Sequence, residues 1–395
     1  TLAGMTPAQH QRRYLEMPDL SGIDQLPRDV DLVAISSFSA QIEEAYQVAE
    51  HYRTLRIPVV MGGLHVTALP QEAIAHGAAA VVGEGESVWR DVLHDAERGR
   101  LRPLYDARGA EFNLAAAPMP AYELLDIARY NRITVQTSRG CPWRCSFCAS
   151  SILLTHKYKQ KPAAQVLAEI DHIRSLWPRP FIEFADDNSF CHRAYWKALL
   201  PEIAKRQIKW FAESDLAIHE DDELLRLMRE AGCVEVLIGL ESPTSEGLDG
   251  VETKCNWKLS RVPQYRDAIR GIQAQGIRVN ACFVLGLDGQ TTRVFDQVLD
   301  FVAEALPFDV QVTVPTPFPG TPMFAQLQRE GRLLADRAWE RCTLFDVNFR
   351  PTHMSPQELA AGLRQMIVAL YSDEATARRH QHFKALRRQT PSMAA

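Results

Sequence analysis

The 395-residue sequence has no apolar run that approaches the roughly 20 residues of a membrane-spanning helix, which argues against stable membrane insertion. It has no basic excess either, because 44 Lys and Arg residues face 49 Asp and Glu residues and the net charge is -5. This balance disfavours nucleic acid as a partner, since nucleic-acid binders usually carry a basic footprint. The amino terminus lacks the basic and long apolar segments of a secretory signal, so we expect a cytoplasmic protein.

Cysteine is also scarce, with 8 residues in the whole chain. In a chain without a secretory signal these residues are expected to be reduced thiols or metal ligands, not a disulfide framework. Internal repeats and low-complexity segments are absent as well. What the sequence does contain is a long alternation of strand-like and helix-like stretches, which predicts an α/β fold with parallel sheets.

Four regions are predicted along the chain. Residues 1–98, with strands at RRYLEM, DLVAIS, PVVMGG and AAVVGEG, form a small Rossmann-like, doubly wound domain. Residues 99–130 are rich in Pro and Ala and form a linker. Residues 131–321 contain six strand–helix units and form a partial (β/α)6 barrel, whose chemistry is expected at the carboxyl ends of its strands. Residues 322–395 are mostly helical and end in a basic run at 377–388, interpreted as a solvated helix end or, alternatively, a contact to an anionic substrate.

Three of the eight cysteines, Cys141, Cys145 and Cys148, lie within the sequence GCPWRCSFC just after the first barrel strand. Three thiolates at this spacing can hold one metal ion or one metal cluster. A structural zinc site needs four ligands, and His156 is the nearest candidate for the fourth. A [4Fe–4S] cluster with three cysteines keeps one iron open for a small molecule, so the missing fourth cysteine favours a cluster with an open position.

The segment CPWRCSFC resembles the cluster motif of the radical S-adenosylmethionine (SAM) enzymes. This resemblance implies a [4Fe–4S] cluster on the three cysteines, SAM on the open iron and reductive cleavage of SAM to a 5′-deoxyadenosyl radical. It also implies a small-molecule substrate and an electron donor such as flavodoxin or ferredoxin. Phe147 would then lie near the adenine of SAM. The other five cysteines, which are scattered along the chain, are predicted to be apolar packing residues.

Polar residues at the ends of three later barrel strands are assigned to SAM by the same resemblance. Asp186, Asp187 and Asn188 follow the second strand and would accept hydrogen bonds from the SAM ammonium group, with helix capping as the alternative. The ends of the third and fourth strands would contact the SAM ribose or carboxylate, or else orient neighbouring loops, through Ser214, Glu241 and Ser242.

The first domain and the segment VPTPFPGTPMF resemble the branch of these enzymes that joins a cobalamin-binding-type domain to the barrel. That branch includes hopanoid methylases and the anaerobic ring cyclase of bacteriochlorophyll synthesis. The resemblance implies that strand-end loops hold the nucleotide tail of cobalamin, with these tentative contacts: Ser36, Ser37, Ser39, Gly62, Gly63, His65, Gly83 and Glu84. The Asp-x-His-x-x-Gly motif of proteins that ligate cobalt through histidine is absent, so His65 is interpreted as a surface or loop histidine.

A full domain of this type is expected to begin with another strand, whose following loop lies under the corrin ring, and the sequence starts after that point. Either the domain is shortened, or further residues precede Thr1. Two hypotheses therefore remain open. The first is a cobalamin-dependent methyltransferase that acts on an unactivated carbon of a small metabolite. The second is a cobalamin-independent radical SAM enzyme that catalyses oxidation, hydroxylation, cyclisation or rearrangement. A tRNA-modifying enzyme is disfavoured by the net charge of -5, and a cysteine-rich metal-binding scaffold is the alternative outside enzymology.

Overall fold

The computed structural model describes residues 1–155 and 157–389 and contains two parallel sheets. The first sheet has four strands in the order β1–β2–β3–β4. In chain order the elements of this first region are α1 (Leu2–Met5), β1 (Val33–Ser36), α2 (Ile42–Thr54), β2 (Val59–Gly62), α3 (Leu64–Ala68), α4 (Pro70–Ala75), β3 (Ala79–Val82), α5 (Trp89–Glu97) and β4 (Leu104–Asp106).

Helices cover both faces of the first sheet, as the doubly wound prediction requires. Because successive strand residues point to opposite faces, each face collects its own apolar core. Val60 and Val81 pack with Trp89 of α5 in one core. Met61 packs with Tyr46 of α2 in the other. The predicted Rossmann-like layering of the first region is therefore confirmed.

Two predictions for the first region are wrong. The segment RRYLEM (12–17) forms no strand, since Tyr14 and Leu15 are 48% and 56% exposed and no neighbouring strand pairs with this segment. The predicted linker contains β4, whose Tyr105 is in register with Val81 of β3. A strand of three residues is too short to produce a recognisable sequence period, which is why the sequence pattern does not reveal β4. The predicted domain boundaries stay predictions.

The second sheet has the strand order β12–β11–β10–β9–β8–β5, and every pair in it is parallel. All six predicted barrel strands are present, and their carboxyl ends meet at one edge. The partial (β/α)6 barrel is confirmed. Its elements are β5 (Ile133–Val135), β6 (Ser138–Arg139), α6 (Ala149–Leu153), β7 (Lys159–Gln160), α7 (Ala163–Leu176), β8 (Phe181–Phe184), α8 (Arg193–Ala204), β9 (Lys209–Ser214), α9 (Asp222–Glu230), β10 (Cys233–Glu241), α10 (Trp257–Arg261), α11 (Tyr265–Ala274), β11 (Arg278–Val284), α12 (Val294–Ala305) and β12 (Asp309–Thr313).

The C-terminal region is mostly helical, as predicted. It contains α13 (Pro322–Arg329), α14 (Pro356–Leu370) and α15 (Asp373–Gln389), and residues 390–395 of the predicted region lie outside the described part of the chain. Helix α14 begins with a capping box in which Ser355 and Glu358 each accept a backbone hydrogen bond. Between α13 and α14 the chain returns to the first region, where Trp339 and Cys342 join the core beneath β2. Among the described helices, none is both long and apolar enough to cross a membrane.

Candidate cluster and cofactor site

The loop 140–148, here called the cluster loop, connects β6 to α6 at the carboxyl edge of the barrel sheet. Gly140 has a φ of +90°, and a Cβ atom there would lie 2.8 Å from the carbonyl oxygen of Lys157, so only glycine fits this turn. The N–H of Cys148 donates to the carbonyl of Cys145 over 3.0 Å. This tight turn keeps Cys141, Cys145 and Cys148 on one short loop.

Two separate segments of the chain fix the backbone of the cluster loop. The Ser146 N–H donates to the Val251 carbonyl over 2.8 Å, and the Thr253 N–H donates to the Arg144 carbonyl over 3.2 Å. From α13, the Met323 N–H donates to the Ser146 carbonyl over 3.1 Å. The loop conformation is therefore held by the protein itself.

The three thiols are close enough to influence one another. Burial raises the pKa of Cys141 to about 11 and that of Cys145 to about 12, and the neighbouring Cys148 adds a smaller contribution to both. Such thiols stay protonated until a bound cation removes their protons. No three His, Cys, Asp or Glu side chains in the described part of the chain are grouped to hold a single metal ion, and His156 lies outside that part. Three soft sulfur donors suit iron in a cluster, in which each thiolate binds a different iron atom.

Asp186 and Asp187, at the end of β8, bind the backbone on either side of β6. Asp186 is buried and accepts hydrogen bonds from the Thr137 N–H (2.7 Å), the Thr137 hydroxyl (2.5 Å) and the Ser138 N–H (2.8 Å). Burial raises the pKa of Asp186 to about 6, against the effect of these hydrogen bonds. Asp187 accepts from the Gly140 N–H over 2.8 Å and from the hydroxyl of Ser150. Asp187 thus holds the start of the cluster loop and Asp186 holds the strand that leads into it, while their predicted contact with SAM stays a prediction.

Asn188, the third predicted residue after β8, is bound to Asp215, which the sequence prediction missed. The amide of Asn188 donates to Asp215 over 2.8 Å, and the indole N–H of Trp143 donates to the same carboxylate oxygen over 2.7 Å. The Trp143 ring also stacks on Trp257, with centroids 4.3 Å apart. Asp215 thus connects the ends of β8 and β9 to the cluster loop.

The end of β10 brings a buried ion pair close to the cluster loop. Glu241 accepts a hydrogen bond from Lys258 of α10, which also donates to the Gly239 carbonyl over 3.0 Å. Burial lowers the pKa of Lys258, but the charge and hydrogen bond of Glu241, together with Cys145 and Tyr265, raise it by more, so the net pKa is raised. Lys258 is close enough to Cys145 to lower the pKa of that thiol. Lys258 was not predicted, because it is 17 positions from Glu241 and no local motif marks it.

The remaining predicted SAM residues also lie at this edge. Ser214 ends β9, and its hydroxyl donates to the Asp215 carbonyl over 2.9 Å. Ser242 is buried directly after β10. Phe147 packs with Cys145 in a small apolar cluster above the ends of the strands. The structure therefore brings the predicted SAM residues together around the cluster loop, although their contacts with SAM stay predictions.

Glu213 on β9 was not predicted and is the most strongly perturbed carboxylate inside the barrel. Trp210 and Ala212 of β9 face the helices, so the alternating Glu213 faces the open interior of the barrel, where its side chain remains exposed to solvent. In the described part of the chain it has no ion pair or hydrogen-bond partner. Desolvation raises the pKa of Glu213 to about 7, and nearby carboxylates, of which Glu183 and Asp187 contribute most, raise it further.

The residues predicted to contact cobalamin lie at the carboxyl edge of the first sheet, but they are not all available to a ligand. Ser36 is exposed, and Gly63, with a φ of +106°, would place a Cβ atom 3.4 Å from its hydroxyl. Ser39 and His65 are bonded to each other over 3.1 Å, and the other ring nitrogen of His65 is 3.4 Å from Glu72. His65 has hydrogen-bond partners on both ring nitrogens, as expected of a satisfied histidine, but it is buried in α3 and not at the surface or in a loop.

The other tentative cobalamin residues are also partly engaged. The hydroxyl of Ser37 donates to the Phe38 carbonyl over 3.2 Å, while Gly62 ends β2 beside Gly63. The N–H of Gly83 donates to Thr67 over 3.0 Å. The Ser36 and Gly63 side of the edge fits an approaching ligand, whereas the Ser39 and His65 side is filled by its own contacts.

Glu84 joins the first sheet to the antiparallel pair of strands β6 and β7 instead of facing an open crevice. It is 3% exposed, pairs with Arg139 of β6 over 2.8 Å and also accepts from Lys159 of β7. Arg139 is shared with Glu86 over 2.7 Å. These pairs bind the end of β3 directly to the strand that leads into the cluster loop.

A pocket of about 240 Å³, here called the joint pocket, opens between the two sheets beside these ion pairs. Helix α3, which follows Gly63, contacts helix α6, which follows Cys148. The pocket is lined by Gly83, Glu84, Glu86, Gln136, Arg139, Ser150, Leu154, Ala185 and Asp187. Both candidate cofactor regions therefore contribute walls to one cavity.

Of the five cysteines predicted to be packing residues, two do not fit that prediction. Cys233 and Cys342 are buried and Cys282 is half-buried, whereas Cys191 and Cys255 are exposed. Both exposed residues lie in loops that follow the carboxyl ends of barrel strands. The number and spacing of the cysteines do not show which of them the fold buries.

Comparison with protein families identifies three segments. Residues 135–302 match the radical SAM superfamily, and residues 24–93 match a B12 binding domain. The chain therefore contains a radical SAM domain preceded by a B12 binding domain. This assignment implies a [4Fe–4S] cluster and SAM, and the matched B12 binding domain confirms the predicted branch. Residues 321–394 match a domain of unknown function (DUF4070).

Relatives of this radical SAM chain include a bacteriochlorophyllide d C-12(1)-methyltransferase of Chlorobaculum tepidum, which is 26% identical over 91% of this chain and 79% of its own. The hopanoid C-2 methylase of Rhodopseudomonas palustris is 26% identical over 89% of this chain and 66% of its own. The anaerobic magnesium-protoporphyrin IX monomethyl ester cyclase of Rubrivivax gelatinosus is 25% identical over 76% of this chain and 58% of its own. The predicted similarity to both groups is confirmed.

The fold of the chain is similar to that of the radical SAM methyltransferase TsrM from Kitasatospora setae, solved with cobalamin and a [4Fe–4S] cluster bound. The TM-score is 0.66 at 18% sequence identity, and the match covers 87% of this chain and 79% of TsrM. At this identity the comparison concerns the fold alone, and it supports the arrangement of a Rossmann-like domain beside a partial barrel.

Proposed function

We propose that the chain is a cobalamin-dependent radical SAM methyltransferase that acts on an unactivated carbon of a small-molecule metabolite. The observation that carries this proposal is the joint pocket, because its walls come from the B12-type domain and from the cluster side of the barrel. A methyl group and a substrate radical have to meet in one enclosed space. A cavity shared by both domains would allow the two groups to meet.

The barrel residues would hold the cluster and SAM. Cys141, Cys145 and Cys148 supply three thiolates, and the Glu241–Lys258 pair keeps one positive and one negative charge beside them. When bound, the cluster and SAM supply the 5′-deoxyadenosyl radical, and cobalamin supplies a methyl group. The protein contributes binding, orientation and exclusion of water, while an external one-electron donor is expected to reduce the cluster.

The first domain would contribute the other wall. The Glu84–Arg139 pair fixes the end of β3 against β6, so the distance between the two domains is set by a buried ion pair. Ser36 offers an exposed hydroxyl at the sheet edge, and Gly63 lets a ligand approach the backbone. These residues would receive the nucleotide tail of cobalamin.

The competing function is a cobalamin-independent radical SAM reaction. It is favoured by the internal hydrogen bonds of Ser39, His65 and Glu84, which remove three of the residues predicted to contact cobalamin. In that case the first domain would only shape the joint pocket.

Protein purified and reconstituted without oxygen, then incubated with hydroxocobalamin and desalted, separates the two functions. We expect cobalamin to remain bound, as measured by its visible spectrum. With SAM and a reductant, mass spectrometry should detect both 5′-deoxyadenosine and S-adenosylhomocysteine, the product left when SAM gives up its methyl group. Formation of 5′-deoxyadenosine with no retained cobalamin would favour the competing function.

The variant Gly63→Leu tests the proposed tail contact. The leucine side chain would occupy the space beside Ser36, so cobalamin retention should fall while formation of 5′-deoxyadenosine continues. The matched control is Gly109→Leu, because Gly109 also has a positive φ (+84°) and a Cβ atom added there would meet no other atom within 4 Å. Equal loss of cobalamin in both variants would show that backbone strain, and not the tail site, is responsible.

A further inference from the structure

A second pocket lies at the end of the barrel opposite to the cluster loop. Lys209 and Arg278 begin β9 and β11, so they stand at the amino ends of the strands. Arg229 from the last turn of α9 and Arg387 from the last turn of α15 approach the same place. Together with Gly276, these residues line a cavity of about 230 Å³, here called the basic pocket.

The positive charges of the basic pocket converge. A Cβ atom at Gly276 would lie 3.7 Å from Nε of Arg229 and 3.9 Å from Nε of Arg387, so both guanidinium groups flank one point. The guanidinium carbon of Arg278 lies 4.4 Å from the centroid of the Phe308 ring, which orients it. Phe383, which lines the pocket, packs on the same ring with centroids 5.2 Å apart.

No carboxylate lines the basic pocket, and none of its four cations forms an ion pair in the part of the chain that the structure describes. By contrast, Arg226, three residues before Arg229 on the same helix, pairs with Glu230 over 2.8 Å. The helix dipole favours a basic residue in the last turn of α9 or of α15. It does not account for Lys209 and Arg278, which begin strands and face the same cavity.

We propose that the basic pocket binds a phosphate-bearing anion. Guanidinium groups donate paired hydrogen bonds to phosphate oxygens, and an anion would offset the mutual repulsion of four neighbouring cations. The cavity is smaller than the roughly 300–1,000 Å³ of sites for drug-sized ligands. It therefore suits inorganic phosphate, pyrophosphate or the phosphoryl end of a larger molecule, and not an entire cofactor.

The proposed ligand would connect two parts of the protein. Arg387 belongs to α15, within the segment that matches a domain of unknown function, whereas Lys209 and Arg278 belong to the barrel sheet. A bound phosphate group would hold α15 against the amino ends of the strands. This inference does not depend on the proposed methyl transfer, because the pocket lies at the other end of the strands from the cluster loop.

Titration calorimetry of the full chain with inorganic pyrophosphate, in a phosphate-free buffer of low ionic strength, tests the proposal. We expect a dissociation constant below about 1 mM. Arg229→Gln and Arg387→Gln should each weaken binding about tenfold or more, because each removes a charge-assisted hydrogen bond. The matched control Arg226→Gln should bind as the unaltered chain does. Lys209→Gln, at an exposed strand start, provides a further variant should Arg229→Gln fail to fold.

Titration with ATP distinguishes the source of the phosphate. Affinity for ATP at least tenfold above that for phosphate would assign the pocket to the phosphoryl end of a larger molecule, and equal affinities would assign it to the free anion. No measurable binding of pyrophosphate, or an equal loss of binding in Arg226→Gln and Arg229→Gln, would overturn the proposal. Formation of 5′-deoxyadenosine should be unchanged in Arg387→Gln, whatever the outcome for methyl transfer.

Discussion

The two candidate cofactor regions differ in how completely the protein fixes them. The cluster loop is held by backbone hydrogen bonds from two distant segments and by the carboxylate of Asp187, while Asp186 holds the residues just before it. The edge of the first sheet instead leaves Ser36 exposed, and Phe38 beside it is 81% exposed. The comparison teaches that the barrel side is formed before its cofactor binds, whereas the other side still offers surface to a partner.

The largest expected effect comes from the cluster loop. Replacement of Cys141, Cys145 and Cys148 together by alanine should abolish bound iron and all cleavage of SAM, because no thiolate then remains to bind the cluster. Iron content and 5′-deoxyadenosine, measured after anaerobic reconstitution, check this. The control Cys233→Ala changes a buried cysteine at the other end of the barrel and should retain the cluster. Full iron content in the triple variant would contradict the assignment.

The next effect concerns the junction between the two regions. Glu84→Ala leaves Lys159 without its buried partner, so the free energy of unfolding should fall by about 3 kcal/mol, the lower end of the range for broken buried pairs, because Glu86 still pairs with Arg139. The control Asp106→Ala breaks an exposed pair with Arg108 and should cost less than about 1 kcal/mol. Chemical denaturation measures the free energy of unfolding of both variants. Equal losses of stability would show that the Glu84 pairs do not stabilise the junction.

A smaller effect is expected for Asp187. Its carboxylate accepts from Gly140 and Ser150, so Asp187→Ala should lower both bound iron and SAM affinity, the latter about ten- to a hundredfold. Binding titrations with SAM and iron analysis of the same samples provide the measurement. A lower SAM affinity at full iron content would instead assign Asp187 to direct contact with SAM, as the sequence predicts. Unchanged values for both would leave Asp187 without either role.

The smallest expected effect is a pH dependence that originates inside the barrel. The pKa of Glu213 is raised to about 7, so the folded state holds a proton that the unfolded state releases at lower pH. The stability contributed by protonated Glu213 is therefore complete at low pH and is lost as the pH rises towards 7. Glu213→Gln should remove this loss, and its advantage in unfolding free energy over the unaltered chain should grow between pH 5 and pH 7. A constant difference across this range would contradict the raised pKa.

Sequence reasoning succeeded where a local pattern determines the structure. The six barrel strands, the position of the cluster loop and the helical C-terminal region follow from periodicity and from residues such as Gly140, whose neighbours in sequence define the turn. It failed for RRYLEM, since an apolar alternation cannot show whether another strand is available to pair with it. It also missed β4, which contains only three residues.

The remaining site residues depend on contacts that only the folded chain creates. Lys258 meets Glu241, and Asp215 meets Trp143, across long sequence separations. Glu84 belongs to a motif typical of the B12-type domain, yet its position is determined by Arg139 and Lys159. The sequence pattern predicts which polar side chains lie at the ends of strands. The packing of the folded chain determines which of these side chains remain available to a ligand.

The return of the chain to the first region has a consequence for how the protein is made. Trp339 packs against His65, with ring centroids 5.1 Å apart, and Trp339 and Cys342 help to form the core beneath β2. Synthesis proceeds at about 5–20 residues per second, and domains commonly fold as they emerge from the ribosome. Here the first region lacks part of its interior until the whole barrel has been translated, because Trp339 follows β12 and α13 in the chain. The first region is therefore synthesised first but is not fully packed first. Its core is completed only when the segment that contains Trp339 and Cys342 packs against it.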